Sequence, residues 1–337
     1  MLKNNLKPKK ISPSLFQCVN LLKDGEFHLG DDLGHQLNMS RTGIWKIMNA
    51  LKNHGVDLEI RKSEGYKLKN PLLLLDPEKI KTGIGEDFIL EVFESLGSTN
   101  TYLLNTEFSN QPRICLTEVQ TEGKGRLGRA WKSSFGQNLL FSYLYPFDDD
   151  VSKLNGLSLV IAVSLMTGIH NYNPQNNLKI KWPNDLYLNN KKLGGILIEL
   201  RAESHSQTKV VIGVGLNINQ EIDADFEKDL MGREVSVLAK SGEYLDRNNL
   251  IIILIKQLAQ DLKIFEKEGL SYFLEKFDQL DFLKSKKINL KHHCFSQDPE
   301  IVSGIAMGID QQGFLKILKD DGTLQKFSAG DTSLNGF

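Results

Sequence analysis

Apolar residues recur at helical spacing near the start of the chain and at alternate positions near its end. Leu15, Val19, Leu21 and Leu22 form a stripe that Gly25 closes, and Leu29, Leu33 and Leu37 form a second, shorter one. Asn38-Met39 turns into Ser40, whose hydroxyl suits the N-cap of a helix over residues 41–53. On that helix Ile44, Ile47, Met48 and Leu51 face inward, leaving Ser40, Arg41, Thr42, Trp45, Lys46 and Asn49 outward. After Gly55, residues 56–60 and 65–68 alternate around Lys62-Ser63-Glu64 and predict a hairpin. Three helices and a wing make a winged helix-turn-helix, with the outward residues placed for a DNA groove and Lys62 near phosphate. Trp45 reads either as a base reader or as a partly buried structural residue.

Asn70-Pro71 and Asp76-Pro77 bracket a linker, because residues before proline leave the helical region. A strand over 88–96 then ends in Gly97-Ser98-Thr99-Asn100, whose small polar side chains either cap the next helix or hold a ligand. Residues 157–169 predict a buried helix, and Lys179 to Asp185 ends a strand with a cation and polar acceptors. Gly194, Gly195, Gly213 and Gly215 sit in two apolar strands, where they mark either a cavity floor or tight sheet packing. Helical patterns over 250–267 and 270–280 give way, after Lys286, to short alternating runs split by turn residues, the texture of a small β-barrel.

Composition narrows the picture. The 337 residues are 40% hydrophobic and 25% charged, ordinary for a globular chain of two or three domains. No apolar run, Leu250 to Ile255 included, nears the roughly 18 residues of a membrane helix, and Lys3 to Lys10 precede no signal-peptide core. The chain therefore reads as soluble and cytoplasmic, without a membrane partner. Cys18, Cys115 and Cys294 lie far apart and read as reduced thiols. His292-His293-Cys294 offers metal-ligating types, but neighbours on a strand point to opposite faces, so no metal ligand is assigned. The net charge of −1 hides an asymmetry: residues 1–70 hold 12 Lys and Arg against 7 Asp and Glu, which suits a polyanion partner for that segment.

The stretch Gly123-Lys124-Gly125-Arg126-Leu127-Gly128-Arg129-Ala130-Trp131 carries the most chemistry. Its glycines let the main chain close on a ligand, while Lys124, Arg126 and Arg129 supply charge to a phosphate or carboxylate. The glycine spacing matches a dinucleotide fingerprint, yet residues 129–136 have no apolar helical face and residues 138–145 resume as a strand. A kinase glycine loop would require His-Arg-Asp and Asp-Phe-Gly downstream, and neither occurs. An anion-holding loop and an exposed basic hairpin remain.

Ser98-Thr99-Asn100, Gly123 to Trp131, Lys181-Trp182-Pro183-Asn184-Asp185 and Gly213-Val214-Gly215-Leu216-Asn217-Ile218-Asn219, in that order, resemble the bifunctional biotin protein ligase and biotin operon repressor family. The likeness runs from about Ser14 to Leu334, and the winged helix marks the repressor subclass. It implies an α/β (α+β) chain: a winged helix-turn-helix over 1–70, a linker over 71–82, a mixed-sheet catalytic domain of class II synthetase type over 83–283 and an SH3-like β-barrel over 284–337. The implied activity is that of a biotin-[acetyl-CoA-carboxylase] ligase. Biotin and ATP give biotinyl-AMP and pyrophosphate, and the acyl group then passes to a lysine of the biotin carboxyl carrier protein.

A carboxylate and a phosphate repel unless cations lie between them, which makes Lys181, Arg126 and Lys124 the candidates for catalysis. The resemblance assigns biotin to Ser98, Thr99, Asn100, Gln120, Lys124, Gly125, Arg126 and Lys181, with the glycine strands along its tail. It assigns ATP and the adenylate to Gly123, Arg126, Arg129, Trp131, Asn184 and Asn217, and operator DNA to Ser40, Arg41, Thr42, Trp45, Lys46 and Lys62. Mg2+ accompanies the triphosphate, with no protein ligand named. Biotinyl-AMP would order the loop and so favour a homodimer on a two-part operator. Rival readings are a lipoate-ligase-like acyl-adenylate enzyme, a ligase without repressor activity and a biotin-responsive regulator without ligase activity. One departure stands out: the family's loop most often begins Gly-Arg-Gly-Arg, and Lys124 here keeps the charge but loses the bidentate fork, which predicts a weaker hold on the intermediate.

Overall fold

The three predicted apolar stripes become helices α1 (Pro13–Leu22), α2 (Gly30–Leu37) and α3 (Arg41–Asn53) in the computed structural model. Asn38 takes the left-handed conformation that ends α2, and the Ser40 hydroxyl accepts a hydrogen bond from the Gly43 N–H at 3.2 Å to cap α3. The structure describes residues 9–107, 109–147, 151–174, 177–202, 208–220, 235–240, 243–292 and 300–334. These fall into two compact units, the first within Met1–Pro146, Lys209–Ile222 and Val237–Ile251, the second within Phe147–Thr208, Asp223–Ser236 and Ile252–Phe337.

In the first unit a short strand, β1 (Lys9–Lys10), precedes α1, and the wing hairpin β2 (Leu58–Arg61) and β3 (Gly65–Leu68) follows α3. Gly65 has φ +101°, and a Cβ there would lie 1.9 Å from the His28 carbonyl oxygen; only glycine lets the wing pair with His28 so closely. Leu72, Leu74 and Phe135 share one buried cluster with Leu15, Ile44 and Leu51, so the winged-helix core continues past residue 70.

The stretch read as a linker is bonded residue by residue. The Leu73 N–H donates to the Tyr244 hydroxyl at 3.0 Å, and the Leu73 carbonyl accepts from Arg247 at 2.8 Å. The Leu74 carbonyl accepts from Asn248, the Leu75 N–H donates to the Glu118 carboxylate and the Asp76 N–H donates to Asn248. Asp76 then caps α4 (Pro77–Ile84).

Beyond it come β4 (Ile89–Ser95), α5 (Thr99–Leu104), β5 (Arg113–Thr117) and β6 (Asn138–Phe147). With β10 (Thr208–Asn217) these give the strand order β1-β4-β5-β6-β10, with β4 parallel to β5 and β5 antiparallel to β6. β6 and β10 are buried almost throughout, which explains their continuous apolar runs.

The second unit contains α6 (Leu157–Tyr172), β7 (Leu178–Lys181), β8 (Asp185–Leu188) and β9 (Lys191–Ala202), the strands in the order β9-β8-β7. Helix α7 (Arg247–Glu268) begins in the first unit and runs into the second, where a Cβ on Gly168 of α6 would lie 2.7 Å from Leu254. After α8 (Leu274–Leu280) comes a five-stranded antiparallel sheet, in the order β14 (Leu324–Phe327), β13 (Leu315–Leu318), β12 (Glu300–Ile309), β11 (Lys287–His292) and β15 (Asp331–Ser333). Among the described residues no helix is long and apolar enough to cross a membrane. Cys18 and Cys115 are buried and free, and His293 and Cys294 lie outside the described residues.

Candidate functional site

Ser98 caps α5, its hydroxyl accepting from the Thr101 N–H at 3.4 Å, and it is buried together with Thr99 and Asn100. The Gln120 side-chain oxygen accepts from the Thr99 N–H at 2.8 Å and from the Thr99 hydroxyl at 3.1 Å. Ser142 of β6, a residue the sequence did not single out, hydrogen-bonds the Thr99 hydroxyl at 2.7 Å and donates to the Asn100 side-chain oxygen at 2.5 Å. Its signal was a lone serine inside the apolar run Leu139 to Leu144. The same short polar residues thus start the helix and are bonded to their neighbours.

The Gly123–Trp131 loop folds back on itself. The Gly125 N–H donates to the Arg129 carbonyl at 2.7 Å and the Trp131 N–H to the Gly123 carbonyl at 2.9 Å. Arg126–Gly128 is a single tight turn in which Leu127 takes φ 56° and Gly128 φ 72°. No helix opens from it, in line with the sequence argument against a dinucleotide loop. A Cβ on Gly123 would meet the Trp131 carbonyl at 2.6 Å, so this glycine is required for the closure. Lys124 reaches the Thr101 hydroxyl at 3.5 Å, which brings the loop to α5.

The glycines of β10 serve packing. A Cβ on Gly213 would lie 2.2 Å from the Asn100 side-chain oxygen, and one on Gly215 2.6 Å from the Trp131 indole. They admit Asn100 and Trp131, so at Gly213 and Gly215 the glycines make room for two protein side chains. Asn217, on the same strand, accepts from Asn138 at 3.1 Å, and Asn138 also donates to Gln220 at 2.8 Å.

Two buried ionic groups brace this unit, neither foreseen from the sequence. Arg247 and Glu118 are both wholly buried and pair at 2.7 Å, with Arg247 also donating to the Asn138 carbonyl at 2.8 Å. Glu94, on β4, accepts from His54 at 3.0 Å and from Lys9 through the same oxygen, and the His54 ring stacks on Phe135 with centroids 4.3 Å apart. Burial alone would push the Glu94 carboxyl up; the hydrogen bonds and charges of His54 and Lys9 outweigh it and leave the group below its ordinary value.

The second unit holds Lys181 at the end of β7 and Asn184 in the following turn. The Lys181 ammonium stands 5.7 Å from the centre of the Tyr187 ring. The Trp182 indole N–H donates to the Gly313 carbonyl at 3.0 Å, fixing the segment. The Asn184 amide donates to the Ile196 carbonyl at 2.7 Å, and Asp185 pairs with Lys192 at 2.7 Å.

On the winged helix, Ser40, Arg41, Thr42, Trp45, Lys46 and Lys62 are placed as the pattern predicted. Thr42, Lys46 and Lys62 are exposed, and Trp45 is 57% exposed. Arg61 is held between Glu59 and Glu64 and rests 4.4 Å from the Phe27 ring.

A helix-turn-helix with a wing, followed by a mixed sheet carrying a cation-rich glycine loop, defines a DNA-binding module fused to an enzyme of the ligase class. The Biotin/lipoate A/B protein ligase family profile matches residues 92–217, the Biotin protein ligase C terminal domain residues 297–334 and the HTH domain residues 15–67. The Bifunctional ligase/repressor BirA of Salmonella typhimurium is 37% identical over 317 residues, covering 94% of this chain and 96% of its own. That of Escherichia coli is 36% identical over 335 residues, covering 99% and 98%. Among solved structures, the biotin protein ligase from Aquifex aeolicus in complex with biotin and ATP superposes with a TM-score of 0.61 at 26% identity, over 73% of this chain and 97% of that one. The chain belongs to the bifunctional biotin ligase/repressor family.

Proposed function

We propose that this protein joins biotin to ATP to form biotinyl-AMP, transfers the biotinyl group to a lysine of a biotin carboxyl carrier protein, and represses transcription when it holds the adenylate. The carrying observation is the pairing of a winged helix with the ligase body over nearly the whole length of relatives bearing both functions in their names. Biotin's carboxylate oxygen attacks the α-phosphorus of ATP and pyrophosphate leaves; the lysine amine then attacks the acyl carbon and AMP leaves.

Ser98, Thr99, Asn100 and Gln120 orient biotin, and their mutual hydrogen bonds fix the groups that would face it. Lys181 and Arg126 stabilise the charge that grows on the phosphate oxygens, while Lys124 and Gly125 retain the acyl end. Gly123, Arg129, Trp131, Asn184 and Asn217 receive the nucleotide. Mg2+ accompanies the triphosphate as its counter-ion, keeping most of its waters. The adenylate, by fixing the 123–131 loop, favours a homodimer that presents two α3 helices to operator DNA.

Incubation with biotin, ATP, magnesium and a carrier domain, followed by intact mass, tests the ligase: a carrier heavier by one biotinyl group supports it, and an unmodified carrier refutes it. Binding to the region upstream of biotin synthesis genes, with and without biotin and ATP, tests the repressor. Equal sedimentation of the protein with and without biotinyl-AMP would exclude the ligand-driven dimer.

A further inference from the structure

We propose that Ser142 is a positioning residue for biotin: by drawing the Thr99 hydroxyl proton to itself, it keeps the Thr99 and Gln120 side-chain oxygens as acceptors for the N–H groups of the ligand's urea ring. This role rests on the ligase reading above. Ser142 is wholly buried and lies on β6 opposite Cys115 of β5. Side chains alternate along a strand, so Phe141 and Tyr143 take one face of the sheet and Ser142 the other. There it meets the first turn of α5, hydrogen-bonding Thr99 at 2.7 Å and Asn100 at 2.5 Å.

The chemistry of the partners places the protons. A serine or threonine hydroxyl has one proton to give and lone pairs with which to receive. The Asn100 side-chain oxygen can only accept, and 2.5 Å is the length of an O–H···O bond, shorter than an amide nitrogen makes; the Ser142 proton therefore goes to Asn100. Two hydroxyl oxygens 2.7 Å apart still need a proton between them, and Thr99 supplies it. The Gln120 oxygen stands farther from the Thr99 hydroxyl, at 3.1 Å, and already takes the Thr99 N–H at 2.8 Å. Of the two acceptors competing for the Thr99 proton, Ser142 holds the shorter bond.

That direction decides what the two residues offer a guest. Without Ser142 the Thr99 proton would turn to Gln120 and the pair would satisfy itself. With it, the Thr99 oxygen and the second lone pair of the Gln120 oxygen are left as acceptors. The frame holds this order at both ends. The Gln120 amide cannot turn over without losing the bond from the Thr99 N–H, and its nitrogen lies toward the loop, 3.3 Å from where a Cβ on Gly123 would stand. Asn100 is set so close against Gly213 that a Cβ there would lie 2.2 Å from the side-chain oxygen that Ser142 holds. A urea ring brings N–H donors to such acceptors, whereas a ring with oxygens in their place would set lone pair against lone pair. Sites of this kind reject the wrong partner strongly, because buried polar groups are then left unpaired.

The test is a calorimetric titration of the full-length protein with biotin and with biotin methylated on a ring nitrogen, beside the KM for ATP in biotinyl-AMP synthesis. Ser142→Ala is expected to weaken biotin binding roughly tenfold, as loss of one hydrogen bond does, with the KM for ATP unaltered and Ser142→Thr, which keeps the hydroxyl, restoring most of the loss. The penalty for N-methylation should be smaller in Ser142→Ala than in the unaltered protein, because the acceptor that the methyl group deprives is no longer waiting; a merely structural serine would leave the two changes additive. Ser142→Cys, close in volume and a far weaker donor, gives the same reading if the alanine variant folds poorly, and thermal melting reports which variants are folded. Biotin affinity indifferent to both replacements, equal losses for biotin and ATP, or strict additivity overturns the proposal. Failure of the unaltered protein to bind biotin would instead overturn the ligase reading.

Discussion

The Trp131 indole lies directly over the backbone of Gly215, so close that a Cβ at that position would stand 2.6 Å from the ring. Gly215→Ala must therefore push the indole aside. Overpacking of this kind costs about 1–3 kcal/mol. We expect a lower melting temperature, a shifted tryptophan emission and a raised KM for ATP with a smaller effect on biotin. Unchanged emission and KM would show that the seat of Trp131 is irrelevant to nucleotide binding.

Arg247→Met should destabilise the fold by about 3–5 kcal/mol, because it leaves the Glu118 carboxylate buried without its cation. Replacing both partners with methionine should recover a large part of the loss. Urea unfolding of the single and double variants measures this; a double variant as weak as the single one would contradict the account.

Glu94 makes stability fall with acid. Its carboxyl lies below its ordinary value in the fold, so its contribution is complete above the unfolded value near about 4.3 and is lost as the pH falls through the folded value. Below that range the Glu94 carboxyl no longer carries the charge that Lys9 and His54 bond to. The native protein should lose stability more steeply below about pH 4.5 than Glu94→Gln does, and parallel acid limbs in urea titrations would refute this.

Lys124→Ala is expected to speed biotinyl-AMP dissociation, while Lys181→Ala should abolish pyrophosphate release from ATP and biotin. An adenylate lifetime unaffected by the first change, or normal release after the second, assigns those lysines elsewhere.

At the operator, Lys62→Ala should weaken binding about equally for all sequences and reduce the salt slope by about 1, as loss of one phosphate contact does. A loss confined to one base position would make Lys62 a base reader.

The winged helix was legible because its signals are local: stripes of period 3.6, the Ser40 cap and the turn at Asn38 each speak for a few adjacent residues. The glycine loop was legible because cations and glycines crowd nine positions. What stayed hidden was long-range. Glu118 and Arg247 are 129 residues apart, and His54 and Glu94 are 40 apart, so no periodicity announces either pair. The glycines of β10 were ambiguous for a related reason: a missing side chain does not say whether a ligand or another side chain takes its place, and here Asn100 and Trp131 do.

The hydrogen bonds along residues 73–76 give the DNA-reading head no tether on which to wander. Polymer statistics therefore do not govern the reach of α3. The direction in which α3 faces is set by Glu118, Tyr244, Arg247 and Asn248, and cutting one of these contacts should loosen the head before it loosens the sheet.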